Sequence, residues 1–315
     1  TLFNPILMHF AAWFAERSYG ELASDYRVLV ESNIKAMEHF DLDMVGLISD
    51  PYRETSAFGA KVTFPREAVP VCKDPIIRNL DDVKALKNPD VHKADRTLDR
   101  IKGAEYYQDL LKGEVPVIGW VEGPLAEACD LAGVSQMLMY MMIDPVLSNL
   151  LLDKTVVTAK DFARAQIEAG CDMIGMGDAI CSQIDLATYE TYVKERHREI
   201  MEYIHLYGGL VKLHICGDIT HLLPALAELP VDILDIDWQV DMEEAYRKLG
   251  PGVIRCGNID PVFVESKKEK EIFNVTSNLV EKEKDRRFIL SAGCEITVKT
   301  PPENLMAMRK ASKKY

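Results

Sequence analysis

No Cys-x-x-Cys pair occurs in this chain, and its seven cysteines are widely spread. That excludes a disulfide framework and favours a reducing, cytoplasmic setting. Long apolar runs are also missing. None approaches the roughly 20 residues that cross a bilayer, so no membrane partner is expected. There is no basic excess: 37 Lys and Arg stand against 50 Asp and Glu, a net charge of −13. Nucleic acid is therefore excluded as a partner class. Neither a G-x-G-x-x-G fingerprint nor a P-loop is present, which argues against nucleotide binding. No signal peptide is visible, although the chain starts at Thr1 without Met, so residues can precede it.

What is present is an alternation of apolar strands and helical segments. Strands are expected at 4–10, 43–49, 115–122, 171–177, 211–216, 231–237, 253–259 and 287–292. Helical periodicity separates most of them. Pro145 fits the first turn of one helix, and Thr300 with Glu303 reads as the capping box of the last. The Met-rich segment 137–142 reads as core filler, and the charges at 265–287 as a solvated face. Eight such units predict one (β/α)₈ TIM barrel over residues 1–315, an α/β fold. An open doubly wound sheet is the alternative. Residues 53–93 read as a long excursion covering the barrel mouth.

Alternate residues of a strand share a face, so His214 and Cys216 point together from the end of the fifth strand. Cys294 ends the eighth strand beside Gly293. Imidazole and two thiolates suit zinc, with a fourth position left for water, substrate or Asp237. Strands five and eight are not neighbours in an ideal barrel, so a flattened one is implied. Cys256 or Cys181 as a further thiolate would make a closed, non-catalytic zinc site instead. The other strand ends present His9, Asp50, Glu122, Asp178, Asp237, Asn258 and Glu295 to the same mouth. Asp235 and Lys212 share the interior face and are expected to pair, since a buried lysine needs a partner. Glu122, Asp178 and Asp237 are the candidate catalytic residues. Asp50, Tyr52, Trp120, Met176 and Asn258 are candidates for contacting substrate.

The motifs His214-Ile-Cys-Gly-Asp218, Gly257-Asn-Ile-Asp-Pro261 and Ser291-Ala-Gly-Cys-Glu295, then Thr300-Pro-Pro-Glu-Asn304, resemble the uroporphyrinogen decarboxylase superfamily. The His-x-Cys…Cys set resembles its zinc-dependent, corrinoid-linked methyltransferase branch. This resemblance covers nearly the whole chain. It implies a distorted TIM barrel, with zinc on His214, Cys216 and Cys294 and cobalamin carried by a corrinoid-binding partner protein. Two jobs are implied: O-demethylation of a small methoxylated donor in one-carbon metabolism, or methylation of a thiol such as coenzyme M. The decarboxylases use arginines after the first strand to hold a polycarboxylate. Here that stretch has one, Arg17, so porphyrinogen decarboxylation is not expected. No persuasive cation for a sulfonate is found, which favours the donor-side reaction.

Overall fold

The computed structural model describes residues 1–314. Eight strands form, seven of them within the expected ranges or one residue beyond: β1 (Leu2–Phe3), β2 (Val45–Gly46), β3 (Val117–Glu122), β4 (Met173–Gly177), β5 (Leu210–His214), β6 (Ile233–Ile236), β7 (Ile254–Ile259) and β8 (Phe288–Ala292). Their ladders are parallel, in the order β1-β8-β7-β6-β5-β4-β3-β2. With helices between them this is a distorted (β/α)₈ barrel. The ring has a seam, because β1 and β2 share no ladder. One backbone bond crosses it, from Asp43 N–H to the Phe3 carbonyl at 3.1 Å.

The seam follows from the sequence of the two shortest strands. Pro5 has no N–H to continue β1. In β2 the Gly46 carbonyl accepts from Asn33 Nδ2 at 2.9 Å and from the Tyr107 hydroxyl at 3.0 Å. The expected first strand at 4–10 is therefore corrected. Only Leu2–Phe3 pairs, and His9 begins a short helix, His9–Phe14. A cavity of about 50 Å³ lies at the seam, reaching Trp120 and Lys212.

Strand parity sets the interior. On β5, Val211 and Leu213 are fully buried on the helix side, while Lys212 and His214 turn inward. On β4 the inward positions are Gly175 and Gly177. A Cβ at Gly175 would sit 2.2 Å from Trp120 Cε3. Glycine there lets the indole lie flat across β4, next to the His214 ring at 6.0 Å between centroids.

The helices follow the expected pattern with two corrections, at Thr300 and in the Met-rich segment. Pro145 does open Pro145–Glu168, capped by Asp144 through the Leu147 N–H at 3.0 Å. The last helix, Pro302–Ser312, has Pro301 at its N-cap, so Thr300 makes no cap and instead meets the Thr297 hydroxyl at 2.9 Å. Met137 and Met141 are core residues, but Met139 and Met142 are exposed. On the charged helix Glu269–Glu283 the buried stripe is Ile272, Thr276 and Val280, with Val275 exposed. The excursion at 53–93 folds as helix Arg53–Ala57, the hairpin of Val62–Thr63 with Val71–Cys72, and helix Leu80–Ala85. No helix among the described residues is long and apolar enough to cross a membrane.

Candidate metal centre

The two thiols and the imidazole meet although their strands are separated by β6 and β7. His214 is the last residue of β5, and Cys216 lies two residues beyond it. Cys294 lies two residues beyond β8. The cysteines therefore lean over the mouth from the connecting segments, which removes the reach problem. Gly217 makes the turn after Cys216 possible, at φ +93°. Its N–H donates to Asp237 Oδ2 at 3.0 Å.

His214 Nε2 stands 2.9 Å from Cys216 Sγ and 4.0 Å from Cys294 Sγ, and the sulfurs are 3.5 Å apart. Tetrahedral zinc with ordinary bond lengths needs N···S edges of about 3.6 Å and S···S of about 3.8 Å. Shifts of well under 1 Å suffice, so the donor set fits zinc. Both cysteines are partly exposed toward a pocket of about 170 Å³, which leaves an open side.

Electrostatics prepare the donors. Hydrogen bonding from Cys216, reinforced by His214, brings Cys294 down to about 4 against the effect of burial. The same contact with Cys294 raises Cys216, so without metal the pair shares one proton. Burial would lower His214, but bonds to Asp235 and Cys294 lift it to about 9. Asp235 is the anchor beneath. Its Oδ2 meets His214 Nδ1 at 2.8 Å and its Oδ1 binds the Lys212 ammonium. Burial opposes its charge, yet Lys212 and His214 hold it well below the usual carboxylate range.

The expected pairing of Lys212 with Asp235 is thus present, and Asp235 also holds His214. Both Asp237 oxygens accept backbone N–H groups, from Gly217 and from Gln239, each at 3.0 Å. It braces the Cys216 turn. Asp178 is also corrected. It is fully buried, and its carboxylate receives the N–H groups of Leu125 and Ala126 at 3.2 and 2.8 Å, at the start of helix Pro124–Ala132. Met176 has the wrong parity, alternating with the inward glycines, and is fully buried away from the mouth. Asn258 holds the Val240 carbonyl at 2.9 Å and lines an outer groove. Tyr52 precedes helix Arg53–Ala57 and is outside the pocket wall. Among the described residues the pocket draws nothing from 53–93, so the excursion does not line it.

Trp120, Glu122 and Asp50 do line it, with Ile6, Met8, Ile48, Pro51 and Glu295. Burial raises Glu295 to about 7, and it accepts the His9 N–H at 2.8 Å. Behind this wall lie groups that sequence reasoning missed. Arg53 binds Glu122 at 2.7 Å and lies 3.6 Å from Glu54, and Arg96 pairs with Asp50 at 2.5 Å. Glu127 and Asp130 approach from helix Pro124–Ala132. Five carboxylates thus share two guanidinium groups, and some must stay protonated. Burial drives Glu122 and Glu127 well above the usual range and Asp130 up to about 8. Arginine side chains reaching a mouth from helices leave no strand-period signal.

The uroporphyrinogen decarboxylase (URO-D) family model matches residues 5–315. The chain belongs to this family. Curated relatives from it include a uroporphyrinogen decarboxylase of Prochlorococcus marinus, 24% identical over 306 residues, covering 94% of this chain and 87% of the relative. That of Geobacter metallireducens is 26% identical over 298 residues, covering 91% and 85%. Among solved structures, a methyltransferase from Methanosarcina mazei superposes with a TM-score of 0.90 at 19% identity, covering 98% of this chain and 93% of that one. A B12-independent methionine synthase from Shewanella gives 0.60 at 12% identity, covering 90% and 85%. These two likenesses concern the fold. This URO-D family chain carries its three candidate metal donors at one end of that fold.

Proposed function

We propose that this protein is a zinc-dependent methyltransferase. It moves a methyl group from a small, uncharged methylated compound, such as a methyl ether, to cobalamin carried by a partner protein. The observation that carries the reading is the pair of thiols and imidazole opening onto a small, largely apolar pocket. Zinc on His214, Cys216 and Cys294 would supply a Lewis acid for the oxygen from which the methyl group departs. The chain's own residues do the rest. Trp120, flat across Gly175 and Gly177, gives the substrate body an aromatic floor. Glu122 holds a proton beside it and delivers that proton to the leaving oxygen. In register, Glu122 and His214 both flank Gly177, so acid and metal donors face one substrate position.

The pocket also weighs against the family's namesake reaction. A substrate with many carboxylates needs cations and space. The arginines near the mouth, Arg53, Arg96 and Arg100, are committed to Glu54, Asp50 and Asp99. A volume of about 170 Å³ is below the roughly 300–1,000 Å³ of ordinary ligand sites. Thiol methylation uses the same zinc chemistry and is the second reading, favoured by the soft donor set. A sulfonated thiol would still lack a cation.

The test is spectroscopic. Zinc-loaded protein is mixed with cob(I)alamin and candidate donors while the cobalt spectrum is followed. Loss of the cob(I) bands with methyl ethers, and only in metal-loaded protein, is the expected result. Conversion of uroporphyrinogen to coproporphyrinogen would refute it. A thiol acceptor releases a proton on binding, so its affinity rises with pH, whereas an ether's does not.

A further inference from the structure

Lys212 sits one inward position below His214 on β5 and is 2% exposed. Few features are costlier than a buried ammonium, and such groups persist only with a fixed partner. Among the described residues its one ion pair is with Asp235, which reaches across from β6. On its other flank Gly175 stands in register, covered by Trp120, and Cys256 neighbours Asp235 from β7. Asp235 thus bridges Lys212 and His214, one oxygen to each.

We propose that Lys212 is a positioning residue of the metal centre. Acting through Asp235, it holds His214 in the tautomer that leaves Nε2 free for zinc. The inference rests on the zinc reading above. An ionised carboxylate only accepts, so Nδ1 must stay the donor, and Nε2 is the nitrogen that gives up its proton and offers its lone pair to zinc. With Oδ1 anchored by the ammonium, Oδ2 cannot rotate out from under Nδ1. Charge supports the same arrangement. Zinc with two thiolates and a neutral imidazole sums to zero, and Lys212 with Asp235 adds another zero. Without Lys212, a buried negative charge would stand beside a neutral site, free to turn toward the metal. Support of this kind is worth roughly 10- to 100-fold in metal affinity.

The experiment measures zinc affinity against a chelating dye and the ¹⁵N shifts of the His214 ring. Lys212→Met should bind zinc roughly 10- to 100-fold more weakly and lose the Nδ1–H signature. Lys212→Arg keeps the charge and should retain that signature. In an Asp235→Ala background, Lys212→Met should change affinity by less than about twofold, because the bridge is already gone. If Lys212→Met alone does not fold, Lys212→Gln, neutral but still able to donate to Asp235, takes its place in the cycle. Unchanged zinc affinity in Lys212→Met, or additive effects in the cycle, would overturn the inference. A wild-type protein that binds no zinc would remove the metal centre itself, a failure distinct from loss of the coupling.

Discussion

Among the described residues two clusters bring metal-ligand side chains together: His214, Cys216 and Cys294 at the mouth, and Asp178, Cys181 and His197 just after β4. By residue type they are equally eligible. They differ in what the donor atoms already do. In the second cluster all three residues are fully buried, His197 Nε2 holds Asp178 at 2.9 Å, and its Nδ1 meets the Tyr189 hydroxyl at 3.0 Å. Asp178 also caps a helix, and burial with the neighbouring Asp178 charge keeps Cys181 a thiol. In the first cluster the sulfurs contact each other and the His214 Nε2 at the edge of an open pocket. Proximity of donors is common to both; lone pairs left available, and an entry path, belong to one.

The largest test of this contrast is to remove one thiol from each cluster. Structural zinc binds with roughly 10–16 kcal/mol, so losing one of three protein donors should weaken it on the order of 10³-fold. Cys216→Ala should therefore lose both metal and methyl transfer. Cys181→Ala should keep zinc at one per chain. Metal analysis after dialysis reads both, and zinc lost equally from the two variants would erase the distinction.

Asp178→Ala comes next, and its effect should fall on stability. It removes a helix cap, about 0.5–2 kcal/mol, and leaves the buried His197 without its acceptor, about 1–3 kcal/mol more. A loss of about 1.5–5 kcal/mol in urea unfolding is expected, with zinc affinity unchanged. Tighter coupling of this residue to metal than to folding would make the second cluster functional.

Glu122→Gln then separates acid from metal at the mouth. The amide keeps the shape and cannot deliver a carboxyl proton. Methyl transfer should fall roughly 10²-fold, with zinc content intact. A raised carboxyl acts as an acid below its own pKa, so wild-type activity should decline as pH rises through it. The variant should lack that decline, and a full alkaline limb in Glu122→Gln would place the proton elsewhere.

Which parts of this were legible follows from what each residue depends on. The barrel was legible because eight apolar runs alternate with helices, and period alone carries that. His214 and Cys216 were legible because parity along one strand is a local property. Cys294 required only that its strand end at the same rim. Met176 was misplaced because its sequence, Met-Ile-Gly-Met-Gly, reads equally well with either parity inward. Only Trp120 lying across Gly175 and Gly177 decides it. Asp178 and Asp237 both end strands, yet backbone N–H groups claim both carboxylates. Nothing in the sequence shows a carboxylate being claimed by a neighbouring turn. Arg53 and Arg96 were missed for a related reason: they approach from helices whose facing is set by packing.

Asp237 gives the smallest and finest test. If it were a ligand, Asp237→Asn would exchange a charged donor for a weak one and release much of the metal. In the structure it instead receives two N–H groups, one from Gly217 just after Cys216 and one from Gln239 in its own turn. An asparagine has one oxygen to accept and presents an NH₂ group to the other donor. One hydrogen bond to a charged acceptor is therefore lost, about 1.5–3 kcal/mol in the turn. Only part of that reaches Cys216, because Gly217 and the β5 ladder still hold the chain. Zinc should remain bound, roughly 10-fold more weakly, and methyl transfer should fall by a similar factor. The Cys216→Ala protein should lose on the order of 100-fold more affinity than this. Affinities that match in the two variants would return Asp237 to the metal, and an unchanged affinity in Asp237→Asn would show that the turn holds without it.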